Sequence, residues 1–107
     1  MIKLTEAEEK VMKAIWDSGE EASRLHVVKI LEEEYNVNWT ETTIATYIIR
    51  LTNKHYIQPE KRGKYSRYKI LVTENDYVKE QLRWMFEYIY NGNREHFLDD
   101  VKIVTEK

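Results

Sequence analysis

The chain has no cysteine, a single proline and only three glycines among its 107 residues. Without cysteine there can be no disulfide framework, no thiolate metal site and no cysteine nucleophile. So few helix breakers favour helices joined by short loops over a sandwich or a disordered chain. No apolar run approaches the roughly 18 residues needed to cross a bilayer, and the opening MIKLTEAEEK lacks the apolar centre of a secretion signal. A cytoplasmic location with no membrane partner is expected. His26, His55 and His96 lie far apart and form no metal-ligand spacing. There is also no nucleophile motif and no phosphate-cradling glycine loop, so no metal, no cofactor and no enzymatic activity are expected. What is present is 42% hydrophobic and 34% charged, enough for one small, mainly helical domain with a modest core.

The net charge of −2 conceals an uneven distribution. Residues 1–39 carry 5 Lys/Arg against 9 Asp/Glu, residues 40–70 carry 7 against 2, and residues 71–107 carry 5 against 8. A basic middle therefore lies between acidic ends, the kind of asymmetry that points to a polyanionic partner despite the overall sign.

Hydrophobic periodicity predicts three helices in the first half. Thr5 and Glu8 have capping-box spacing, and Ala7, Val11, Met12, Ile15 and Trp16 follow on one face of a helix over about 6–17. Gly19 breaks it and Ser23 offers the next N-cap, after which Val27, Val28, Leu31 and Tyr35 recur at helical spacing. Thr40 caps the third helix, where Ile44, Tyr47, Ile48 and Leu51 form the inward stripe. Its outward side is left with Thr42, Ala45, Thr46, Ile49 and Asn53, with Thr43 and Arg50 at the margins.

Two short strands are expected next, Ile57 to Glu60 and Tyr65 to Ile70. They are joined at Lys61-Arg62-Gly63-Lys64, with Gly63 supplying the positive φ of the turn. Pro59 cannot donate to a ladder and belongs at an edge or strand end. Three helices followed by a basic hairpin is the order of a winged helix-turn-helix domain, over residues 1–72. A last helix begins after Thr73 and stops at Asn91-Gly92-Asn93. Its stripe of Val78, Leu82, Met85, Phe86 and Ile89, widened by Tyr77, Trp84, Tyr88 and Tyr90, is more apolar surface than so small a domain covers. Residues 73–107 are therefore expected to form a helical dimerisation region, with Val78, Leu82, Trp84, Met85, Phe86 and Ile89 at the interface, the alternative being that this helix folds back on the first helix as extra core. The tail from Arg94 shows no clear pattern.

A helix-turn-helix protein sets the N-terminal part of one helix against base edges in the major groove. Thr42, Thr43, Ala45 and Thr46 give a slender face of methyls and hydroxyls, and Thr40 and Ile49 border it. Arg50, Lys54, Lys61, Arg62, Lys64 and Arg67 are the candidates for phosphate contacts. About four such contacts in each of two protomers give a slope of log K against log salt on the order of −7. Glu41 opposes this field and reads most simply as a first-turn carboxylate that suits the helix dipole. The competing expectation is a winged helix that binds protein and not DNA, since the outward face of the third helix is nearly neutral. The basic hairpin favours DNA.

The stretches LTEAEEKVMKAIWDSGEEAS, NWTETTIATYIIRL and GKYSRYKILVTENDYVKE resemble the penicillinase and methicillin-resistance repressors of the BlaI/MecI/CopY family. The resemblance runs over about residues 4–92. It rests on Glu8, Val11, Met12 and Trp16, on Trp39-Thr40, on Thr43 and Thr46, on Arg50-Leu51 and on Gly63 to Tyr68. It implies a bacterial homodimeric repressor on a dyad-symmetric double-stranded DNA operator. In the family's β-lactam branch, derepression follows cleavage of the C-terminal region set off by a membrane sensor, which implies a sensor-linked protease as a further partner. The junction cleaved there has no counterpart around Leu98 to Val101. In the copper branch C-terminal cysteines bind the metal, and this chain has none. The family often carries basic residues where this chain has Thr42 and Ala45. It commonly has a glycine where His55 stands, so His55 must take a left-handed conformation or the helix must end differently.

Overall fold

A computed structural model of the chain describes residues 1–19, 23–63 and 65–106. The chain divides into two compact units, Met1–Glu74 and Asn75–Lys107.

In the first unit, α1 (Glu6–Ser18), α2 (Arg24–Tyr35) and α3 (Glu41–Asn53) pack on one another, and β1 (Ile57–Arg62) pairs antiparallel with β2 (Tyr65–Ile70). Each helix starts where a side chain satisfies its free N–H groups. Thr5 and Glu8 form a full capping box, Ser23 accepts from the His26 N–H, and Thr40 accepts from the Thr43 N–H at 3.1 Å. The core is built from Leu4, Val11, Met12, Ala14 and Ile15, from Val27 and Leu31, and from Ile44, Ile48 and Leu51, with Tyr56, Ile57 and Tyr68 closing it beneath the hairpin. Ala7, Trp16 and Val28 are only half-buried, and Tyr35 is exposed, its hydroxyl donating to Asp17. The Trp16 indole donates to the Val72 carbonyl at 2.9 Å.

The end of α3 is a complete Schellman closure. Lys54 is the C-cap, His55 takes φ +64°, the His55 N–H bonds to the Thr52 carbonyl and the Tyr56 N–H to the Leu51 carbonyl, both at 3.0 Å. Leu51 and Tyr56, the apolar pair that accompanies this motif, are both fully buried. Of the two endings open to the sequence, the left-handed one is used. A histidine there costs about 1 kcal/mol relative to glycine.

The hairpin is longer than expected. β1 runs two residues past Glu60, to Arg62, and Gly63 directly after it takes φ +63°. Pro59 pairs with Tyr68 in a sheet of two strands, each of which is an edge, so its missing N–H costs no ladder bond within a larger sheet.

The second unit departs from expectation in two ways. The helix α4 (Glu74–Trp84) passes into a π-helical turn at Met85–Ile89, with the Tyr90 N–H reaching the Met85 carbonyl at 3.0 Å. The tail is not patternless. Asn91 and Gly92 both take positive φ, and Asn93 then caps a further helix, α5 (Arg94–Thr105), by accepting from the His96 N–H at 3.0 Å. The two helical segments meet through Phe86 and Phe97 (ring centroids 5.5 Å apart), Tyr90 and Phe97 (5.1 Å), and a hydrogen bond from the Tyr90 hydroxyl to Asp100 (2.9 Å). That bond holds the Tyr90 phenol above its ordinary range.

Candidate nucleic-acid interface

The outward face of α3 is open. Thr42, Thr46 and Asn53 are exposed, Ile49 is 60% exposed, and Thr43 and Ala45 are half-buried at its edges. The Thr46 hydroxyl donates to the Thr42 carbonyl at 3.2 Å and the Thr40 hydroxyl to the Thr43 hydroxyl at 3.0 Å, so these hydroxyls are held against the helix. Beside this face, Ala45, Ile48 and Ile49 of α3 line a shallow depression with Arg24 of α2 and Pro59, Ser66 and Tyr68 of the hairpin. Burial pushes the Tyr68 phenol up, while the positive charge of Arg24 acts in the opposite direction.

The six basic residues singled out by sequence are not equivalent. Arg50 is exposed at the end of the face, its guanidinium 5.5 Å from the centre of the Tyr47 ring, which in turn leans on Trp39 at 5.2 Å. This stack limits the swing of the Arg50 side chain. Lys54 does not point its charge away from the protein. Its ammonium donates to the Glu8 carboxylate at 2.6 Å and to the Lys3 carbonyl at 3.2 Å. Glu8 is only 1% exposed. Burial would raise its carboxyl, but the Lys54 hydrogen bond, helped by the Thr5 N–H and hydroxyl, holds it below the ordinary carboxylate range.

In the hairpin, residues opposite each other share a face. Lys61, paired with Ser66, therefore lies on the side of Pro59 and Tyr68, whereas Arg67, paired with Glu60, lies on the other side. Lys61 is exposed, and Arg67 borders a depression with Ser23, Leu25, His26 and Lys29 of α2. The side chain of Arg62 and all of Lys64 lie outside the described residues. Two ionic contacts that involve residues of α3 or its C-cap join positions far apart in the chain. Glu8 and Lys54 are 46 positions apart, and Arg24 Nε donates to Glu41 Oε1 at 3.0 Å across 17 positions. Helical spacing carries no signal for either.

Of the residues expected at a subunit interface, Val78, Leu82, Trp84, Met85 and Ile89 are exposed in the single chain. Phe86 is half-buried, with Phe97 as its neighbour. Leu98, Val101, Ile103 and Val104 of α5, outside the stripe expected from sequence, add further exposed apolar surface. Among the described residues no cluster of His, Cys, Asp and Glu could hold a metal, and no helix is long and apolar enough to cross a membrane.

Three packed helices followed by an antiparallel hairpin, with the third helix open on its outer side, define a winged helix-turn-helix protein. Residues 4–103 match the penicillinase repressor family model, and the chain belongs to that family. It is 28% identical over 91 residues to the penicillinase repressor of Bacillus licheniformis, covering 84% of this chain and 68% of that one. To an uncharacterised 16.5 kDa protein from the ptsI 3′ region of Latilactobacillus sakei it is 29% identical over 87 residues, 81% of this chain and 58% of that protein's length. Among solved structures it resembles the B. licheniformis BlaI monomeric form in complex with the blaP half-operator, with 31% identity, a TM-score of 0.57 and coverage of 71% and 89%. It also resembles the DNA-binding domain of the repressor BlaI, with 31% identity, a TM-score of 0.58 and coverage of 70% and 88%.

Proposed function

We propose that this chain is a DNA-binding transcriptional repressor that acts as a homodimer on a dyad-symmetric operator. In this reading α3 enters the major groove with Thr42, Thr43, Ala45, Thr46 and Ile49 toward base edges, Thr40 at its leading end, and Arg50 with the hairpin cations Lys61, Arg62, Lys64 and Arg67 on flanking phosphates. The observation that carries it is the uncovered, slender outer face of α3 beside a basic hairpin, in a chain whose relative BlaI has been solved on a half-operator. Charge favours the same reading, because the positive residues are concentrated in 40–70 while the rest of the chain is acidic.

Dimerisation is supported by the second unit. Among its described residues only Tyr77 is buried, and a segment shorter than about 40 residues rarely stands on its own core. The exposed Val78, Leu82, Trp84, Met85 and Ile89 supply the surface that a second copy would cover. Half-sites then lie about one or more helical turns apart. A sensor-linked protease is a further partner in this reading, supported by family membership alone.

The test is a gel shift with genomic fragments at low and high salt, followed by selection of bound sequences from a random DNA pool. Specific retention that weakens steeply with salt, and a recovered palindrome, are the expected results. Absence of retention even at low salt overturns the reading in favour of a protein-binding module.

A further inference from the structure

We propose that Arg24 is a DNA-phosphate contact and that Glu41 is the residue that positions it, the two acting as one unit at the front of α3. The proposal rests on the DNA-binding reading above and deepens it. Arg24 belongs to the acidic segment 1–39, where its charge is submerged in a total of −4, so a segmental charge count passes over it. The fold moves it elsewhere. As the first residue of α2 it reaches the first residue of α3, with Nε 3.0 Å from Glu41 Oε1. It lines one depression with Glu41, Thr42 and Ala45, and a second with Ala45, Ile49, Pro59 and Tyr68. Arg24 therefore stands between the outer face of α3 and the hairpin, on the surface that a duplex seated against α3 must cover.

The chemistry of the pair fits this position. A guanidinium has five N–H donors in a rigid fork, and here only Nε is used; the Nη groups have no hydrogen-bond partner among the described residues. An arginine held by one edge on a carboxylate presents its other edge in a fixed orientation, which suits a phosphate oxygen. The side chains are 49% and 50% exposed, so the pair contributes little to folding, and its place on this surface is better explained by what it presents. Glu41 gains as well. Its carboxylate would otherwise meet the phosphates uncompensated at the leading end of the helix, and Arg24 neutralises it before a duplex displaces the water. Arg24 thus supplies the cation that Lys54, with its ammonium committed to Glu8, does not.

Binding of a mixed-sequence DNA duplex, followed by fluorescence anisotropy over a range of salt concentrations, tests the unit whatever the operator sequence proves to be. Arg24→Ala should weaken binding and make the slope of log K against log salt shallower by about one per protomer, on operator and unrelated DNA alike. Arg24→Lys should keep the slope and lose part of the affinity, since an ammonium cannot serve both partners in the fork geometry. Glu41→Gln should change little while Arg24 is present, because the amide oxygen still accepts from Nε, and should recover part of the loss in the Arg24→Ala background. An unchanged slope and affinity in Arg24→Ala, with circular dichroism showing an intact fold, overturns the contact. Equal gains from Glu41→Gln in both backgrounds overturn the coupling. A wild-type protein that binds no duplex at any salt is a different result, since it removes the DNA-binding reading itself.

Discussion

Replacing Lys54 by methionine isolates the most consequential long-range contact in the first unit. The substitution keeps the aliphatic stem and removes the ammonium, so Glu8, 1% exposed, loses the partner at 2.6 Å. Stripping one member from a buried ion pair costs about 3–5 kcal/mol. The lower end is appropriate here, because Glu8 keeps the Thr5 N–H at 2.8 Å and the Lys54 side chain is itself 24% exposed. A loss of about 3 kcal/mol lowers the melting temperature of a domain this size by about 12–24 °C. The dependence on pH fixes the cause. The Glu8 carboxyl is depressed in the folded protein, so its contribution is fully present above the ordinary glutamate value of about 4.3 and disappears as pH falls through the lower folded value. In Lys54→Met the stranded carboxylate is relieved by protonation, so the gap between variant and wild type must narrow on acidification. Thermal denaturation by circular dichroism at pH 7 and at successively lower pH measures both. A melting temperature within a degree or two of wild type at pH 7, or a gap independent of pH, refutes the reasoning. The same variant, assayed on DNA below its melting temperature, should keep the wild-type salt slope, because the ammonium is already occupied.

His55→Gly should raise stability by about 1 kcal/mol, since glycine adopts φ +64° without the steric cost paid by histidine; an unchanged or lower denaturation midpoint contradicts this. Thr40→Ala should cost about 1 kcal/mol by freeing the Thr43 N–H, read in the same denaturation experiment, and a loss near zero would mean that water caps α3 equally well. Leu82→Asp should give a monomer in sedimentation velocity and a large drop in affinity for a two-half-site duplex, with affinity for a single half-site little changed; an unchanged sedimentation coefficient removes Leu82 from the interface.

The parts of the fold that are legible in sequence are those fixed by short-range rules. Thr5 with Glu8, Ser23 and Thr40 announce three helix starts, and the stripe Ile44, Ile48 and Leu51 fixes which side of α3 faces inward and hence which side is open. Gly63 marks the hairpin, though strand pairing carries β1 past the expected turn. The misses have different causes. Asn93 reads as the end of one helix when it also begins the next, and Phe97, Val101 and Val104 at helical spacing behind it are the available signal. The engagement of Lys54 and the pairing of Arg24 with Glu41 depend on how helices lie against each other, which no local pattern encodes.

The wide turn at Met85–Ile89 sets a condition on any assembly built from this region. The wide turn is also where this helix ends, since Asn91 and Gly92 follow with positive φ and α5 starts afresh at Arg94. A seam with a repeat of three and four that starts at Val78 and Leu82 therefore cannot run on from α4 into α5. Two copies meeting along α4 could not zip together as an uninterrupted coiled coil. Contact begun through Val78 and Leu82 must change partner at the wide turn, and α5 is the element that the chain itself brings to that point.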